Sequence, residues 1–166
     1  MTEARAAAAD IDDPLASWSA LVTVYQSVLH DVVAALEREA GLDSGVFSAL
    51  AYLERAQPPH RLPMGELQRK MHPRYSQPGF SRLVQRMEAD GLVERRADPT
   101  DRRATVIVTT RAGRRQFRTA NVVYTDALRV AFGRHLRDDE HAHLATVLAR
   151  ITDQRTAADA DRAPTI

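Results

Sequence analysis

The sequence contains no cysteine, few aromatic residues and no long uninterrupted apolar run. Without cysteine, the chain cannot form a disulfide framework, a thiolate metal site or a thiol redox sensor. No apolar run approaches the ~20 residues of a membrane-spanning helix, and the first five residues, MTEAR, lack the apolar core of a signal peptide. We therefore expect a soluble, cytoplasmic protein that makes no membrane contact.

Sequence motifs of catalysis are also missing. The chain has no G-x-S-x-G nucleophile turn, no glycine-rich phosphate loop and no H-E-x-x-H metal motif. His141 and His143 are two residues apart, so on a helix they would point about 200° away from each other. The remaining histidines are scattered: His30, His60, His72 and His135. We expect no enzymatic activity, no metal site and no cofactor.

The formal net charge of +1 hides an uneven distribution along the 166 residues. Residues 61–118 hold 14 basic and 6 acidic side chains, a local charge of +8, while the remainder holds 9 basic and 16 acidic side chains, a local charge of −7. The length is typical of one domain, and the 44% apolar content is enough to form a core. A basic middle between acidic flanks is typical of a phosphate-binding segment attached to a different kind of module.

The segment that begins at Ser76 has the pattern of an amphipathic helix. Ser76 is a suitable N-cap, and the apolar residues recur at three- and four-residue steps: Phe80, Leu83, Val84 and Met87. At about 100° per residue, the opposite face carries Pro78, Arg82, Gln85 and Ala89, with Ser81 and Arg86 on its flanks. Such a face can be simply solvated, or it can lie in a DNA groove.

The residues after this helix favour the DNA groove. Gly91 can end the helix, and residues 92–97 and 104–109 have the composition of two strands. The turn between them, Asp98–Arg103, has two arginines at its tip. A helix followed by such a hairpin is the layout of a winged helix-turn-helix, with the helix in the major groove and the hairpin tip near the minor groove. The predicted DNA contacts are Ser76, Gln77, Pro78, Ser81, Arg82, Gln85, Arg86, Arg102 and Arg103. We expect Asp98 and Asp101 to orient the wing arginines.

The run GLVERRADPTDRRATVIVTTRAG resembles the wing and following helix start of the multiple-antibiotic-resistance regulator (MarR) family. The matching positions are Gly91, Leu92, Val93, Arg95, Asp98, Asp101, Arg103, Thr110 and Gly113. The segment SRLVQRME, residues 81–88, matches the family's recognition helix. One departure is a turn, Met71–Tyr75, that is about two residues longer than usual. The resemblance implies a dimer formed through the first and last helices.

Helical patterns also flank the winged region. Leu15–Glu39 carries a heptad-like seam of Trp18, Val22, Tyr25, Leu29, Val32 and Leu36. This seam fits either the core of a monomer or a dimer interface, and we favour the dimer. Further helices are expected from Asp43 or Ser44, over Glu66–Met71 with Gly65 as cap, for about 24 residues after Thr110, and from Asp138. Arg61–Pro63 is expected to be an edge strand or an extended lead-in.

The predicted fold is mainly α with a small two-stranded β-wing. We expect a disordered N-terminal arm over residues 1–14, a helical dimerisation region over 15–57 and 111–152, a DNA-binding region over 58–110, and a frayed tail over 153–166. The predicted function is a transcriptional regulator, a repressor, that binds a pseudo-palindromic operator in double-stranded DNA as a homodimer. The alternative is a winged module that contacts proteins and does not bind DNA.

The MarR resemblance also implies a small phenolic or carboxylate effector, bound between the dimer helices and the winged module. Residues that could line such a cleft are aromatic: Trp18, Tyr25, Phe47, Tyr52 and Phe117. Each could equally be an ordinary core residue, since aromatic residues at helical spacing usually pack inside the protein. The identity of the effector is not readable from the sequence.

Overall fold

The computed structural model describes residues 13–58, 60–72, 74–98, 101 and 104–162, with only the backbone for residues 156–162. The helices are α1 (Pro14–Ala40), α2 (Ser44–Arg55), α3 (Met64–Met71), α4 (Gln77–Ala89), α5 (Arg111–Ala131) and α6 (Asp138–Arg162), and the strands are β1 (Arg61–Pro63), β2 (Val93–Ala97) and β3 (Thr105–Thr109). A 3₁₀ turn, Gly133–His135, precedes α6. The chain divides into two compact units, Met1–Ala127 and Leu128–Ile166.

Helix α1 is bounded by its capping residues. The Asp13 carboxylate accepts a hydrogen bond from the Leu15 N–H at 2.8 Å, and Gly41 ends the helix at φ 59°, a left-handed conformation that glycine adopts without strain. Its second half is buried at Val32 and Leu36, whereas most of its first half is exposed. By length and composition this helix could also cross a membrane, although only 17% of its most apolar window is buried. Many core helices of soluble proteins have the same length and composition.

Helix α2 forms the centre of the first unit. The Asp43 carboxylate caps it by accepting hydrogen bonds from the N–H groups of Gly45 at 2.8 Å and Val46 at 3.1 Å, which confirms the predicted helix start. Ala49, Leu50 and Leu53 are completely buried. Since α2 packs against α3, α4 and the sheet, it forms the base on which the winged region is built.

The sheet has three antiparallel strands in the order β1-β3-β2, one more than the predicted two-stranded wing. Segment Arg61–Pro63 is an edge strand, as one of the two sequence interpretations held, and pairs Leu62 with Ile107. Ile107 is fully buried. The third strand arises because β3 has two edges and only one of them is used by β2. The wing is therefore attached to the chain that leads into α3.

Helix α3 begins earlier than its sequence predicts. It starts at Met64, with Pro63 as N-cap and no side-chain capping bond, so the predicted start at Glu66 with Gly65 as cap is wrong. Pro63 has no N–H to satisfy and its φ of −53° suits a position just before a helix. The predicted inward residues, Leu67 and Met71, are buried.

The connection from the wing into α5 is tightly packed. The Thr110 hydroxyl accepts a hydrogen bond from the Gly113 N–H at 3.0 Å, which confirms Thr110 as a helix cap, and donates one to the Gly91 carbonyl at 2.7 Å. A Cβ at Gly113 would overlap the Leu92 carbonyl oxygen, so the close approach requires glycine. Two of the motif positions therefore fasten the start of α5 to the end of α4. Helix α5 has 21 residues rather than the expected 24 or so.

The second unit, Leu128–Ile166, begins in the last residues of α5 and contains α6. The His141 Nε2 atom lies 3.0 Å from the Gly133 carbonyl oxygen, and the His141 ring stacks edge-on against Phe132 at 6.2 Å. The Glu140 carboxylate accepts the Arg137 N–H at 2.9 Å and pairs with the Arg137 guanidinium at 2.5 Å. Helix α6 continues to Arg162, through most of the segment predicted to be a frayed tail.

Candidate nucleic-acid interface and adjoining cleft

Helix α4 is held firmly by one face. Its predicted apolar stripe is buried, with Phe80 and Met87 each 1% exposed. Ser76 caps the helix by accepting a hydrogen bond from the Gly79 N–H at 3.3 Å, which confirms the predicted start. At the other end Gly91 has φ 69°, and its N–H donates to the Glu88 carbonyl while the Leu92 N–H donates to the Met87 carbonyl. These two bonds form a Schellman motif.

The opposite face of α4 is open to solvent, as the helical spacing predicts. Arg82 and Gln85 are exposed near its middle, and Ser81 is half-buried beside them. Ser76, Gln77 and Pro78 are exposed at its N-terminal end. Arg82 has no hydrogen-bond or ion-pair partner among the residues that the structure describes. The guanidinium and the amide are thus presented together on a fixed helix.

Arg86 behaves differently from Arg82. Its guanidinium lies 3.3 Å from the Asp43 carboxylate, the same carboxylate that caps α2. Both side chains are about half exposed, so the pair is solvated and adds little stability. The sequence analysis placed Arg86 on the flank of a DNA-binding face but gave no sign of this partner, because Asp43 is remote in sequence. DNA contact by Arg86 would have to compete with Asp43.

The strands of the wing carry two ion pairs. The Arg95 guanidinium lies 3.3 Å from the Glu88 carboxylate at the end of α4, and the same carboxylate accepts the Arg95 N–H. Arg96 pairs with Glu94 at 2.6 Å along one strand. The Arg95–Glu88 pair is the less exposed of the two and joins the wing to the recognition-type helix. The motif arginine at position 95 is therefore structural in this chain.

The turn of the wing is closed by backbone hydrogen bonds. The Asp98 N–H donates to the Ala104 carbonyl, and the Ala104 N–H donates to the Asp101 carbonyl, both at 2.9 Å. The predicted DNA contacts Arg102 and Arg103 lie outside the described residues. Their roles, and the role of Asp98 and Asp101 in orienting them, remain predictions.

A cleft of about 270 Å³ adjoins the winged region within the first unit. Three of the five aromatic residues predicted to line a ligand site, Tyr25, Phe47 and Tyr52, do line it. Trp18 and Phe117 are not among the lining residues. Trp18 is 62% exposed on α1, and Phe117 stacks against Phe47 with ring centroids 5.6 Å apart.

The sequence analysis missed two cleft residues, Tyr124 and Arg74. Tyr124 stacks against Phe47 at 4.8 Å and lies on the predicted inward face of α5, so helical spacing could have identified it. Arg74, in the long turn before α4, donates a hydrogen bond to the Ser44 hydroxyl at 2.7 Å. No local pattern could have indicated this contact across thirty positions of sequence.

The lining of the cleft is aromatic and cationic. Besides the aromatic rings it includes the guanidinium groups of Arg55 and Arg74, the hydroxyls of Ser44 and Ser48, and no carboxylate. Over the described part of the chain no group of three or more histidine and carboxylate side chains could hold a metal ion. The cleft is therefore suited to a planar organic anion rather than to a cation.

Comparison with known proteins identifies the winged region. The model of the MarR family matches residues 40–104, which include α2, α3, α4 and β2. This segment belongs to the MarR family. The match ends before Thr110 and Gly113, the two motif positions that fasten α5 to the MarR-family wing. No curated protein matches the sequence.

Solved MarR-family structures share the fold. AbsC of Streptomyces coelicolor is similar at 23% identity and a TM-score of 0.74, over 88% of this chain and 96% of AbsC. Sco3205 of the same organism, solved in complex with DNA, is similar at 23% identity and 0.73, over 84% and 86% of the two chains. BpsR of Bordetella bronchiseptica, whose DNA binding is regulated by 6-hydroxynicotinic acid, is similar at 19% identity and 0.65, over 82% and 92%.

Proposed function

We propose that this protein is a cytoplasmic transcriptional regulator, a repressor, that binds pseudo-palindromic operator DNA as a homodimer. The observation that carries the proposal is the outward face of α4, where Arg82 and Gln85 stand opposite a buried stripe. Because that stripe anchors the helix, both side chains keep a fixed spacing. Guanidinium and amide groups are the ones that read guanine and adenine edges in the major groove.

The charge distribution supports the same function. The surplus of +8 lies between residues 61 and 118, around α4 and the wing. Phosphate contacts supply most of the non-specific affinity of a DNA-binding protein. We propose Ser76, Gln77, Pro78, Ser81 and Arg86 as further contacts of α4, and Arg102 and Arg103 as contacts of the wing tip.

Exposed apolar residues on α1 support the homodimer. Trp18 and Tyr25 are 62% and 61% exposed, and Leu15, Leu21 and Val24 are also exposed. Large apolar faces on a helix are costly in water, so a second copy of the chain is proposed to cover this one. A covered face also explains how α1 can be apolar enough to span a membrane and yet belong to a soluble protein. In this proposal residues 15–57 and 111–152 dimerise, and residues 58–110 bind DNA.

The aromatic and cationic cleft supports control by a small effector. We propose that an aromatic or carboxylate ligand enters the cleft beside Tyr25, Phe47 and Tyr52 and changes DNA affinity. BpsR, whose DNA binding responds to 6-hydroxynicotinic acid, has a similar fold. Trp18 and Phe117 are kept as candidates that would act from the edge of the site.

The test begins with selection of bound sequences from random DNA, followed by fluorescence anisotropy on the selected operator and on random DNA. We expect log-log salt dependence to be steep for both. Arg82→Ala should cost about 1–3 kcal/mol on the operator and relax the preference at one position per half-site. Arg38→Ala, which removes an exposed arginine of α1, is the matched control and should change nothing.

Two results would contradict this assignment. Equal weakening on operator and random DNA in Arg82→Ala would make Arg82 a phosphate contact, and α4 would not be placed as proposed. A wild-type protein without measurable DNA affinity at low salt would remove the function itself. Repression would then be measured with a reporter placed behind the selected operator, where loss of the protein should raise expression.

A further inference from the structure

Arg74 occupies an unusual position between the cleft and the recognition helix α4. It lies in the turn that joins α3 to α4, two residues before the N-cap Ser76. Its guanidinium donates to the Ser44 hydroxyl, at the first residue of α2, at 2.7 Å. No carboxylate among the residues described by the structure pairs with it. An exposed guanidinium bound to a neutral hydroxyl keeps most of its five N–H donors available.

Tyr75 makes a second contact between the same two elements. A Cβ at Gly45 would overlap the Tyr75 hydroxyl, so the tyrosine side chain lies directly against the backbone of the first turn of α2. Gly45 is buried. Two consecutive residues of the long turn, Arg74 and Tyr75, therefore hold the start of α4 against the start of α2. Any ligand that moves either residue acts next to the N-cap of the recognition helix.

The surroundings of Arg74 define the ligand chemistry. On the cleft side it shares the lining with Phe47, Tyr52 and Tyr124, whose rings offer flat apolar surfaces. The volume of about 270 Å³ is slightly below the ~300–1,000 Å³ of sites for drug-sized ligands, so it suits one or two rings. With two arginines and no carboxylate in the lining, a negative charge on the ligand is favoured.

We infer that Arg74 binds the carboxylate of an aromatic acid, and that its release from Ser44 is the step by which ligand binding reaches α4. This inference rests on the proposed function, because it names the sensing residue of the proposed effector site. A carboxylate accepts two parallel hydrogen bonds from a guanidinium, and such charge-assisted bonds are about twice as strong as neutral ones. The ligand therefore outcompetes the Ser44 hydroxyl. Once Arg74 has turned to the ligand, one of the two contacts between α2 and the start of α4 is lost.

The first arm of the test uses no DNA. Calorimetry compares 2-naphthoate with 2-naphthamide, and benzoate with benzamide, on the full-length protein. Each acid should bind about tenfold more tightly than its amide, the size expected for a charge-assisted contact. Arg74→Gln should reduce that preference to about one, Arg74→Lys should keep an intermediate preference because it retains the charge without the fork, and Arg55→Gln should keep most of it.

Ser44→Ala distinguishes exchange from simple contact. If the acid must first replace Ser44, removing the hydroxyl should tighten 2-naphthoate binding severalfold. If Ser44 instead holds the ligand, the variant binds the acid more weakly, and the exchange mechanism is overturned. Melting temperatures of the variants should stay close to that of the wild type, since Arg74 is exposed and Ser44 half-buried.

The second arm measures DNA. Saturating 2-naphthoate should weaken operator binding by the wild type severalfold and leave Arg74→Gln nearly unaffected. An acid preference that survives in Arg74→Gln, or acids that bind no better than amides to the wild type, would overturn the role of Arg74. Failure of the wild type to bind operator would overturn the proposed function alone, because calorimetry without DNA still decides whether Arg74 binds the acid.

Discussion

Helix α4 and the first half of α1 carry similar apolar periodicities, yet the chain buries only one of them. On α4, Phe80 and Met87 are each 1% exposed, whereas on α1 Trp18 and Tyr25 are 62% and 61% exposed. Helix α4 packs against α2, α3 and β2 of the same chain. The second half of α1 is also buried, at Val32 and Leu36. The difference begins along α1 itself, where the helix extends beyond the core of the first unit.

This contrast separates two meanings of an apolar stripe. A period of 3.6 residues shows that a helix has an apolar face, but it does not show what covers that face. In the winged region the cover is the chain's own core, so a single copy completes the structure. For the first half of α1 the proposed cover is a second copy. Three substitutions test this difference, from the largest expected effect to the smallest.

The largest effect is expected for Phe80→Ala, which removes a ring from the core beneath the recognition helix. Truncation of a buried phenylalanine costs about 3–5 kcal/mol because it loses burial and leaves a cavity. Chemical denaturation at fixed protein concentration would measure this loss. Arg82→Ala, two positions away on the solvent side, is the control and should cost less than about 0.5 kcal/mol. A loss below about 1 kcal/mol for Phe80→Ala would mean that the stripe is not the anchor of α4.

A smaller effect, on assembly, is expected when charges are placed on the exposed face of α1. Trp18→Asp combined with Leu21→Asp should weaken self-association by about a hundredfold, since buried aromatic anchors dominate interfaces. Sedimentation velocity over a range of concentrations would detect the change. Thr23→Asp lies on another side of the helix and serves as control. A wild type that stays monomeric at micromolar concentration would refute the dimer.

The smallest effect on stability is expected for Arg103→Ala at the tip of the wing, which we propose to lie in a minor groove. The melting temperature should stay within about a degree or two, as for most surface substitutions. Operator affinity should nevertheless fall severalfold, with a salt slope shallower by about two for a symmetric dimer. Arg102→Ala should change affinity less. Unchanged affinity in both variants would leave α4 as the sole proposed DNA-binding element.

The wing and recognition helix were predictable because their signals are local. Ser76 caps α4 and Gly91 ends it through bonds to residues three to five positions away, so a short window contains both partners. The strand bounds were predicted within one residue for the same reason. The start of α3 was missed because Met64 carries no start signal of its own, and Pro63 fits a helix start as well as a strand end.

The cleft was predicted only in part. Phe47 and Tyr52 were candidates because aromatic residues can be counted in a sequence, but their neighbours on other elements could not be assigned. The Arg74–Ser44 contact joins positions thirty apart, and the Arg86–Asp43 contact joins positions still farther apart. Both arginines look alike in the sequence, as exposed cations near α4. Their different partners depend on how α2 lies beneath the turn and the helix.

The amino-acid sequence by itself determined the helix periods, the caps, the wing turn and the basic charge of residues 61–118, because each depends on neighbours along the chain. Only the tertiary structure decided that β1 adds a third strand, that Arg86 and Arg95 are paired with carboxylates, and that aromatic rings from α1, α2 and α5 meet Arg74 at one cleft. These outcomes depend on distances between elements, and such distances are set by packing of the whole core rather than by any local pattern.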